Sequence, residues 1–143
     1  IVLIMFTSCG YKAMYSNKNF NFNIIKIEKS KGDKLNLTFE RMIKNFSNDQ
    51  ALKQISLKTN AEKQITIVSK DARGDPSRYQ MIVKLELVII NDQKNKEINK
   101  NIMQQFSYNT NSNKSKLNQY EKEIEEILIN KVIDEAIKNL SQF

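Results

Sequence analysis

The alternation of apolar and polar residues is most regular between Arg78 and Ile90. Apolar residues occupy every second position and share one face: Met81, Val83, Leu85, Leu87 and Ile89. Successive side chains of a strand point to opposite faces, so this stretch predicts a long β-strand with one face buried. The other face combines polar residues with three more apolar ones, Ile82, Val88 and Ile90.

The C-terminal run from Lys116 to Leu140 predicts a helix that can cover this strand. About 25 residues at roughly 1.5 Å per residue reach nearly as far as a strand of about 12 residues at roughly 3.3 Å. Two apolar rows follow the helical repeat: Ile124, Leu128, Val132, Ala136 and Leu140, then Ile127, Ile129, Ile133 and Ile137. Rows this broad exceed a simple amphipathic stripe, so we expect the helix to be covered on more than one side.

The first half of the chain predicts one strand and one helix. The strand spans Ile24 to Glu28 with Ile25 and Ile27 facing inward, and the helix then runs to about Asn45. Ser30 or Asp33 can cap the free N–H groups at its start. A stripe at helical spacing marks its core-facing side: Leu35, Phe39, Met42 and Phe46.

The middle of the chain predicts further strands joined by turns. Residues 55–68 fit either a hairpin of two short strands or one long bulged strand. A sharp turn at Lys70–Pro76 follows, and a polar turn at Asn91–Asn95 leads into a strand from Ile98 to Tyr108.

The predicted order is therefore β-α-β-β-β-α, in a single α+β domain over residues 24–143. We expect a small, mostly antiparallel four-stranded sheet with two helices packed on one face. A helical crossover also allows the first strand to pair in parallel. No element remains to cover the face of Ile82, Val88 and Ile90, so this face is the predicted partner surface.

Composition restricts the possible functions. The 143 residues include no histidine and a single cysteine, which removes the usual general base, most zinc sites and any intramolecular disulfide. No pair of carboxylates suggests acid–base chemistry either. We therefore expect a protein that is not an enzyme and that binds neither a metal nor a cofactor.

The net charge of +7 has two interpretations. All but three of the 23 basic residues are lysine, and asparagine and isoleucine are also abundant, as an AT-rich genome would produce. The alternative is a basic surface that binds an anionic partner. Charge alone therefore does not indicate nucleic-acid binding.

The first residues combine an apolar run with the only cysteine. Residues 1–8 have the composition of the end of a signal peptide, and we expect that the sequence continues upstream of Ile1. Phe6-Thr-Ser-Cys9 is similar to a bacterial lipobox, in which the peptide is cut before a cysteine that carries acyl chains; a buried strand that happens to contain Cys9 is the alternative. Residues 9–23 are then the acylated N-terminus and a tether, and Gly10 permits sorting to the outer membrane.

Three segments resemble the LPS-assembly lipoprotein family LptE. Cys9-Gly-Tyr-Lys-Ala-Met-Tyr15 is similar to the start of the mature family members, and Arg78-Tyr-Gln-Met-Ile-Val83 is similar to a strand of the family. Phe106-Ser-Tyr-Asn109, followed by a long helix, is similar to its closing segment. The resemblance covers nearly the whole chain in the right order, and the fold of the family agrees with the predicted element order.

This resemblance implies a function and a set of site residues. LptE-like proteins plug and assemble the outer-membrane barrel LptD, and the pair delivers lipopolysaccharide to the outer leaflet. The resemblance implies lipid contact by Arg73, before the family-like strand, and by Lys114 or Lys116, near the start of the last helix; we add Arg78 in support. It also implies a lipid-anchored location at the periplasmic leaflet of the outer membrane.

Two other functions compete with this interpretation. A generic outer-membrane lipoprotein, acting as a periplasmic chaperone or an envelope scaffold, explains the lipobox equally well. A nucleic-acid-binding domain would explain the basic composition, but a secreted and acylated protein does not meet the genome.

Overall fold

The structure, a computed structural model, describes residues 20–143. The prediction of Cys9 as the acylated residue, and those for the rest of residues 1–19, lie outside the described residues. The elements follow in the order β1 (Phe22–Lys29), α1 (Lys34–Lys44), β2 (Lys53–Lys70), β3 (Pro76–Asn91), β4 (Lys96–Asn109) and α2 (Lys114–Gln142). A 3-10 turn, Asp92–Lys94, joins β3 to β4 and is absent from the predicted order.

The sheet has the strand order β1-β2-β3-β4 and two helices on one face. The prediction of an α+β fold with an open four-stranded sheet is confirmed, but the sheet is mixed and not mostly antiparallel. Strand β1 pairs in parallel with β2, whereas β2 with β3 and β3 with β4 pair antiparallel. The parallel pair follows from α1, because a helical crossover returns the chain to the same end of the sheet.

The inward face of β1 differs from the prediction. Strand β1 begins at Phe22, inside the predicted tether, and Phe22 is fully buried. The register with β2 shifts between Ile24 and Lys26, so the alternation changes phase there. Ile24 and Ile27 therefore pack toward the core, whereas Ile25, predicted to face inward, is exposed.

Helix α1 begins where the sequence predicts. Asp33 is the N-cap, and its carboxylate accepts a hydrogen bond of 2.9 Å from the backbone N–H of Asn36. Phe39 is fully buried, and the other members of the predicted stripe pack partly buried against the core: Leu35, Met42 and Phe46. The stripe is therefore confirmed as core packing.

The inner face of β3 is the centre of the core, as predicted. Its alternate apolar residues are all buried, and α2 lies across β3 and β4 to cover them. On α2 the predicted rows are buried except for Ile127, which is exposed. The sequence predicts that α2 is covered on more than one side, but the described residues leave the side that carries Ile127 exposed. Neither described helix is long and apolar enough to cross a bilayer.

Strand β2 settles the open alternative for residues 55–68. It is one strand of 18 residues, with register shifts only near its end, between Ile67 and Lys70. Strand β1 pairs with β2 only as far as Thr59. The sheet therefore has four strands at one end and three at the other. We call the three-stranded end, where the β2–β3 turn lies and β4 leads into α2, the distal end.

The burial of β3 beneath α2 predicts an asymmetry between neighbouring residues. Leu85 is fully buried on the helix side, and Lys84 is exposed on the opposite side. Leu85→Ala should lower the free energy of unfolding by about 2–5 kcal/mol, as buried large-to-small changes do. Lys84→Ala, the matched control, should change it little. Chemical denaturation of the two variants measures both values, and equal small effects would contradict the face assignment.

Candidate functional site

The distal end is built around the turn between β2 and β3. The carboxylate of Asp71 accepts hydrogen bonds of 2.9 Å from the backbone N–H groups of Arg73 and Asp75. The backbone N–H of Asp71 donates to the Asp75 carbonyl at 2.8 Å. Gly74 has a φ of +88°, a conformation that glycine adopts without steric cost. The predicted turn is therefore a closed loop that fixes the position of Arg73.

Arg73 lies at the tip of this turn, with 83% of its side chain exposed. Its guanidinium approaches two carboxylates, Asp71 at 3.4 Å and Asp75 at 3.9 Å. Exposed pairs at such distances are weak, because water screens them and the side chains lose entropy on pairing. Arg73 therefore keeps N–H groups that can bind an anion from solution.

The other predicted basic residues lie at the same end of the sheet. Arg78 is an exposed residue of β3, paired between Ser69 and Asn109. Lys114 is the first residue of α2, and Lys116 follows in the same turn. The backbone N–H of Thr110, just after β4, donates to the Ser77 carbonyl at 3.0 Å, which ties the end of β4 to the start of β3.

This arrangement gives the distal end a positive charge. Five basic residues lie in its turns and element ends, Lys70, Arg73, Arg78, Lys114 and Lys116, against the two acidic residues Asp71 and Asp75. The first turn of α2 carries no acidic residue. The partial positive charge of the helix N-terminus adds to that of its lysines. The distal end is therefore suited to an anionic ligand.

Apolar side chains lie exposed on the helix face of the same end. Ile65, Met81 and Phe106 form one row across β2, β3 and β4. Helix α2 covers only the middle of the row, so Met81 is buried while Ile65 and Phe106 are 42% and 43% exposed. Ile67, one pair further along, is 50% exposed. The distal end thus combines positive charge with apolar surface.

Tyr108 anchors the start of α2 to this surface. Its hydroxyl donates to the carboxylate of Glu121 at 2.7 Å, and its ring stacks on Tyr79 at 5.7 Å between centroids. Burial, and then the hydrogen bond to Glu121, raise the pKa of Tyr108 well above its ordinary value. Tyr108 therefore stays protonated and holds α2 over the sheet. Tyr120, 44% exposed, packs edge-on against the same ring.

Sequence reasoning missed the apolar part of this site. Ile65, Ile67 and Phe106 were predicted as ordinary strand residues, since alternation gives the face of a residue but not what covers it. The sequence carried no clear signal for it, because residues 55–68 fit either a hairpin or one strand, and only the single strand β2 extends past its neighbour β1.

The structure places the three residues of the predicted partner surface on one face of the sheet but not in one continuous apolar patch. Ile82, Val88 and Ile90 share the sheet face that no described element covers, and each is half-buried. Ile82 lies six positions from Val88, a separation of about 20 Å at roughly 3.3 Å per residue. Polar residues of β2 and β4 flank all three: Ser56, Lys58, Gln64, Glu97, Asn99 and Gln105. This outer face is therefore polar with small apolar areas.

Comparison with known proteins gives structural matches only. No protein-family model matches the chain, and no curated protein does. Rare lipoprotein B from Shewanella oneidensis is similar in structure, with a TM-score of 0.59 and 17% identity over 82% of this chain and 96% of that one. The chain has the fold of rare lipoprotein B.

Two further lipoproteins share this fold. A minor lipoprotein from Acinetobacter baumannii has a TM-score of 0.57 and 16% identity, covering 86% of this chain and 94% of that one. Lipoprotein B from Nitrosomonas europaea has a TM-score of 0.56 and 12% identity, covering 92% and 90%. Rare lipoprotein B is the LptE homologue in Shewanella, so the resemblance to the LptE family is confirmed at the level of the fold.

The hydrogen bonds of the distal turn predict how Asp71 titrates. The backbone N–H of Asp75, and then that of Arg73, lower the pKa of Asp71 below its ordinary value of 3.8. Because the pKa of Asp71 is lowered, its ionised carboxylate stabilises the folded turn at pH values above 3.8. This stabilisation is lost as the pH falls through the pKa of Asp71 in the folded protein. A carbon-13 titration of the carboxyl group should therefore give a midpoint below 3.8.

The matched control is Asp71→Asn, which keeps a carbonyl acceptor but does not titrate. In this variant the contribution of Asp71 to the acid transition of the Arg73 amide shift should disappear. A midpoint for Asp71 at or above the ordinary value would contradict the hydrogen-bonded turn.

Proposed function

We propose that this protein is an outer-membrane lipoprotein that plugs and assembles an LptD-like barrel and assists the insertion of lipopolysaccharide into the outer leaflet. In this proposal Cys9 carries the acyl chains that hold the protein at the periplasmic leaflet. The protein itself is not an enzyme. The observation that carries the proposal is the distal end of the sheet, where basic and apolar side chains lie together.

The distal end has the chemistry that a phosphorylated lipid requires. Lipopolysaccharide presents phosphate groups beside acyl chains, and the distal end presents cations beside exposed isoleucine and aromatic side chains. The planar guanidinium of Arg73 can donate two parallel hydrogen bonds to one phosphate. Lys114, Lys116 and Arg78 would add charge around it. The lipid's head group and part of its acyl region would thus bind at one place.

The outer face of the sheet supports the contact with a barrel. The lumen of a large outer-membrane barrel is lined mainly by polar side chains. The outer face of this sheet is also polar, and its asparagine, glutamine and lysine side chains can exchange hydrogen bonds with such a lining. Ile82, Val88 and Ile90 would supply local apolar contacts. A polar face therefore fits a plug better than the open apolar face that the sequence predicted.

A second candidate function is a generic outer-membrane lipoprotein that acts as a periplasmic chaperone or an envelope scaffold. One observation favours it: the two carboxylates beside Arg73 already neutralise part of its charge. In that case the arginine would serve only the turn, and the polar face would meet another hydrated partner. The two candidates differ in whether a barrel protein and lipopolysaccharide bind.

Removal of the Arg73 charge tests the lipid site. Arg73→Ala should lower lipopolysaccharide binding about tenfold, the usual effect of losing one charge-assisted hydrogen bond. Added salt should reduce the difference between wild type and variant, because the contact is exposed. Binding to immobilised lipopolysaccharide at two ionic strengths measures both effects, while the melting temperature should stay unchanged.

The matched control is Arg41→Ala, which removes the same side chain from the exposed end of α1, away from the distal end. Its lipopolysaccharide affinity should equal that of the wild type. Equal binding by Arg73→Ala at low ionic strength would show that Arg73 is a turn residue and would favour the second candidate function.

Co-purification with a barrel protein tests the partner surface. Val88→Asp places a charge in one of the apolar areas of the outer face, so it should leave the protein folded and weaken co-purification severalfold. Ile127→Asp, the control, makes the same change at an exposed apolar residue of α2. If only Ile127→Asp weakens the contact, the barrel binds the helix layer and not the sheet.

A further inference from the structure

The distal half of β2 is an unpaired sheet edge in the part of the chain that the structure describes. Strand β1 ends its pairing at Thr59, whose carbonyl accepts the backbone N–H of Ser30 at 2.9 Å. The side chain of Asn36 then occupies the next edge position: it accepts from the N–H of Ala61 at 2.7 Å and donates to its carbonyl at 3.0 Å. Beyond Ala61, no described residue bonds to the outward backbone groups of this edge.

These contacts define which backbone groups are free. Thr59 and Ala61 point their N–H and C=O groups away from β3, and the orientation repeats at every second residue of a strand. Lys63, Ile65 and Ile67 therefore point theirs outward as well, while Gln64 and Thr66 bond to β3. The edge presents a ladder of three donors and three acceptors. Only another extended backbone offers groups at the matching spacing.

The side chains along this edge do not protect it. Natural sheet edges are usually guarded by outward or inward charges, proline or a covering element. The lysine of this stretch, Lys63, is held by Glu125 of α2 at 2.8 Å and so is turned onto the helix. Ile65 and Ile67 follow it and are about half exposed. By contrast, the middle of the β4 edge carries exposed Asn99, Lys100 and Asn101.

A groove of about 1090 Å³ lies beside the edge, between the start of α1 and the middle of α2. Two of its lysines are neutralised, Lys31 by Glu62 at 2.9 Å and Lys63 by Glu125. Three more lysines line it without an ion pair among the described residues: Lys34, Lys84 and Lys122. The acidic residues that remain are Glu126 and Asp33, and the Asp33 carboxylate caps α1. The unneutralised charge of the groove is therefore positive.

We propose that the distal edge of β2 binds an acidic, extended segment of a partner protein by strand addition. The backbone of the segment pairs with Lys63, Ile65 and Ile67. Its apolar side chains, at alternate positions, lie on the helix side against Ile65 and Ile67, and the carboxylates between them lie on the outer side of the sheet, where Lys84 lines the groove. This site shares Ile65 and Ile67 with the proposed lipid-binding end, but its backbone contacts do not depend on the function proposed above.

A designed peptide serves as the probe. It has seven residues, with valine at alternate positions and glutamate or threonine between them; a second peptide has lysine in place of glutamate. Amide hydrogen exchange of the whole chain, followed by NMR, should show new protection at Ile65 and Ile67 with the acidic peptide. Gln64 and Thr66, already bonded to β3, should change little. The lysine peptide should protect these amides at least about tenfold less, because each charge contact reverses sign.

Ile65→Pro removes one outward N–H without removing a bond to β3, and proline is tolerated at such edge positions. It should abolish the protection at Ile67, whereas the control Ile65→Val should keep it. Should Ile65→Pro unfold, Ile65→Asp tests the same contact, since it keeps the backbone and repels the acidic peptide.

Several results would overturn the proposal. Equal protection by the two peptides would contradict the proposal that the partner segment is acidic. Protection of Ile65 and Ile67 in the free protein at every concentration would mean that another part of this chain occupies the edge. Protection that rises with protein concentration would identify a second copy as the occupant.

Discussion

The burial of the inner face of β3 is the constraint on which the rest of the structure depends. Five apolar side chains at alternate positions cannot stay in water, and a strand of 16 residues needs a cover of similar length. Only α2 is long enough, so it must lie along β3 and β4. Tyr108 and Glu121 then hold the start of the helix at the distal end. The other elements are then arranged around β3 and α2.

A single long helix cannot cover three strands across their whole width. Helix α1 covers the rest of the sheet only where β1 is present, because it is the short crossover between β1 and β2. Among residues 20–143, the distal part of β2 therefore has no helix directly above it and no strand on the side away from β3. The exposed isoleucines, the free edge and the basic turn all lie in this region because the core ends before the sheet does.

The sheet divides the surface into parts of different chemistry. Its outer face is polar and suits a hydrated protein surface, while its distal end joins positive charge to apolar side chains and suits an anionic amphiphile. Because the outer face and the distal end are distinct, the proposed barrel contact can be tested separately from the lipid contact in the same folded protein. Strand addition shares Ile65 and Ile67 with the lipid contact, so the two are distinguished by the ligand that is added.

The sequence by itself determined the core and most of the elements. Alternation gave the buried face of β3, helical spacing gave the α1 stripe, and Asp33 marked the start of α1, because these signals depend only on local geometry. Tertiary structure decided the rest. The bulge after Ile24 exposed Ile25, the unequal lengths of β1 and β2 created the free edge, and the width of α2 left Ile65, Ile67 and Phe106 uncovered. Such features depend on which element lies above or beside a residue, and a periodic pattern carries no information about that neighbour.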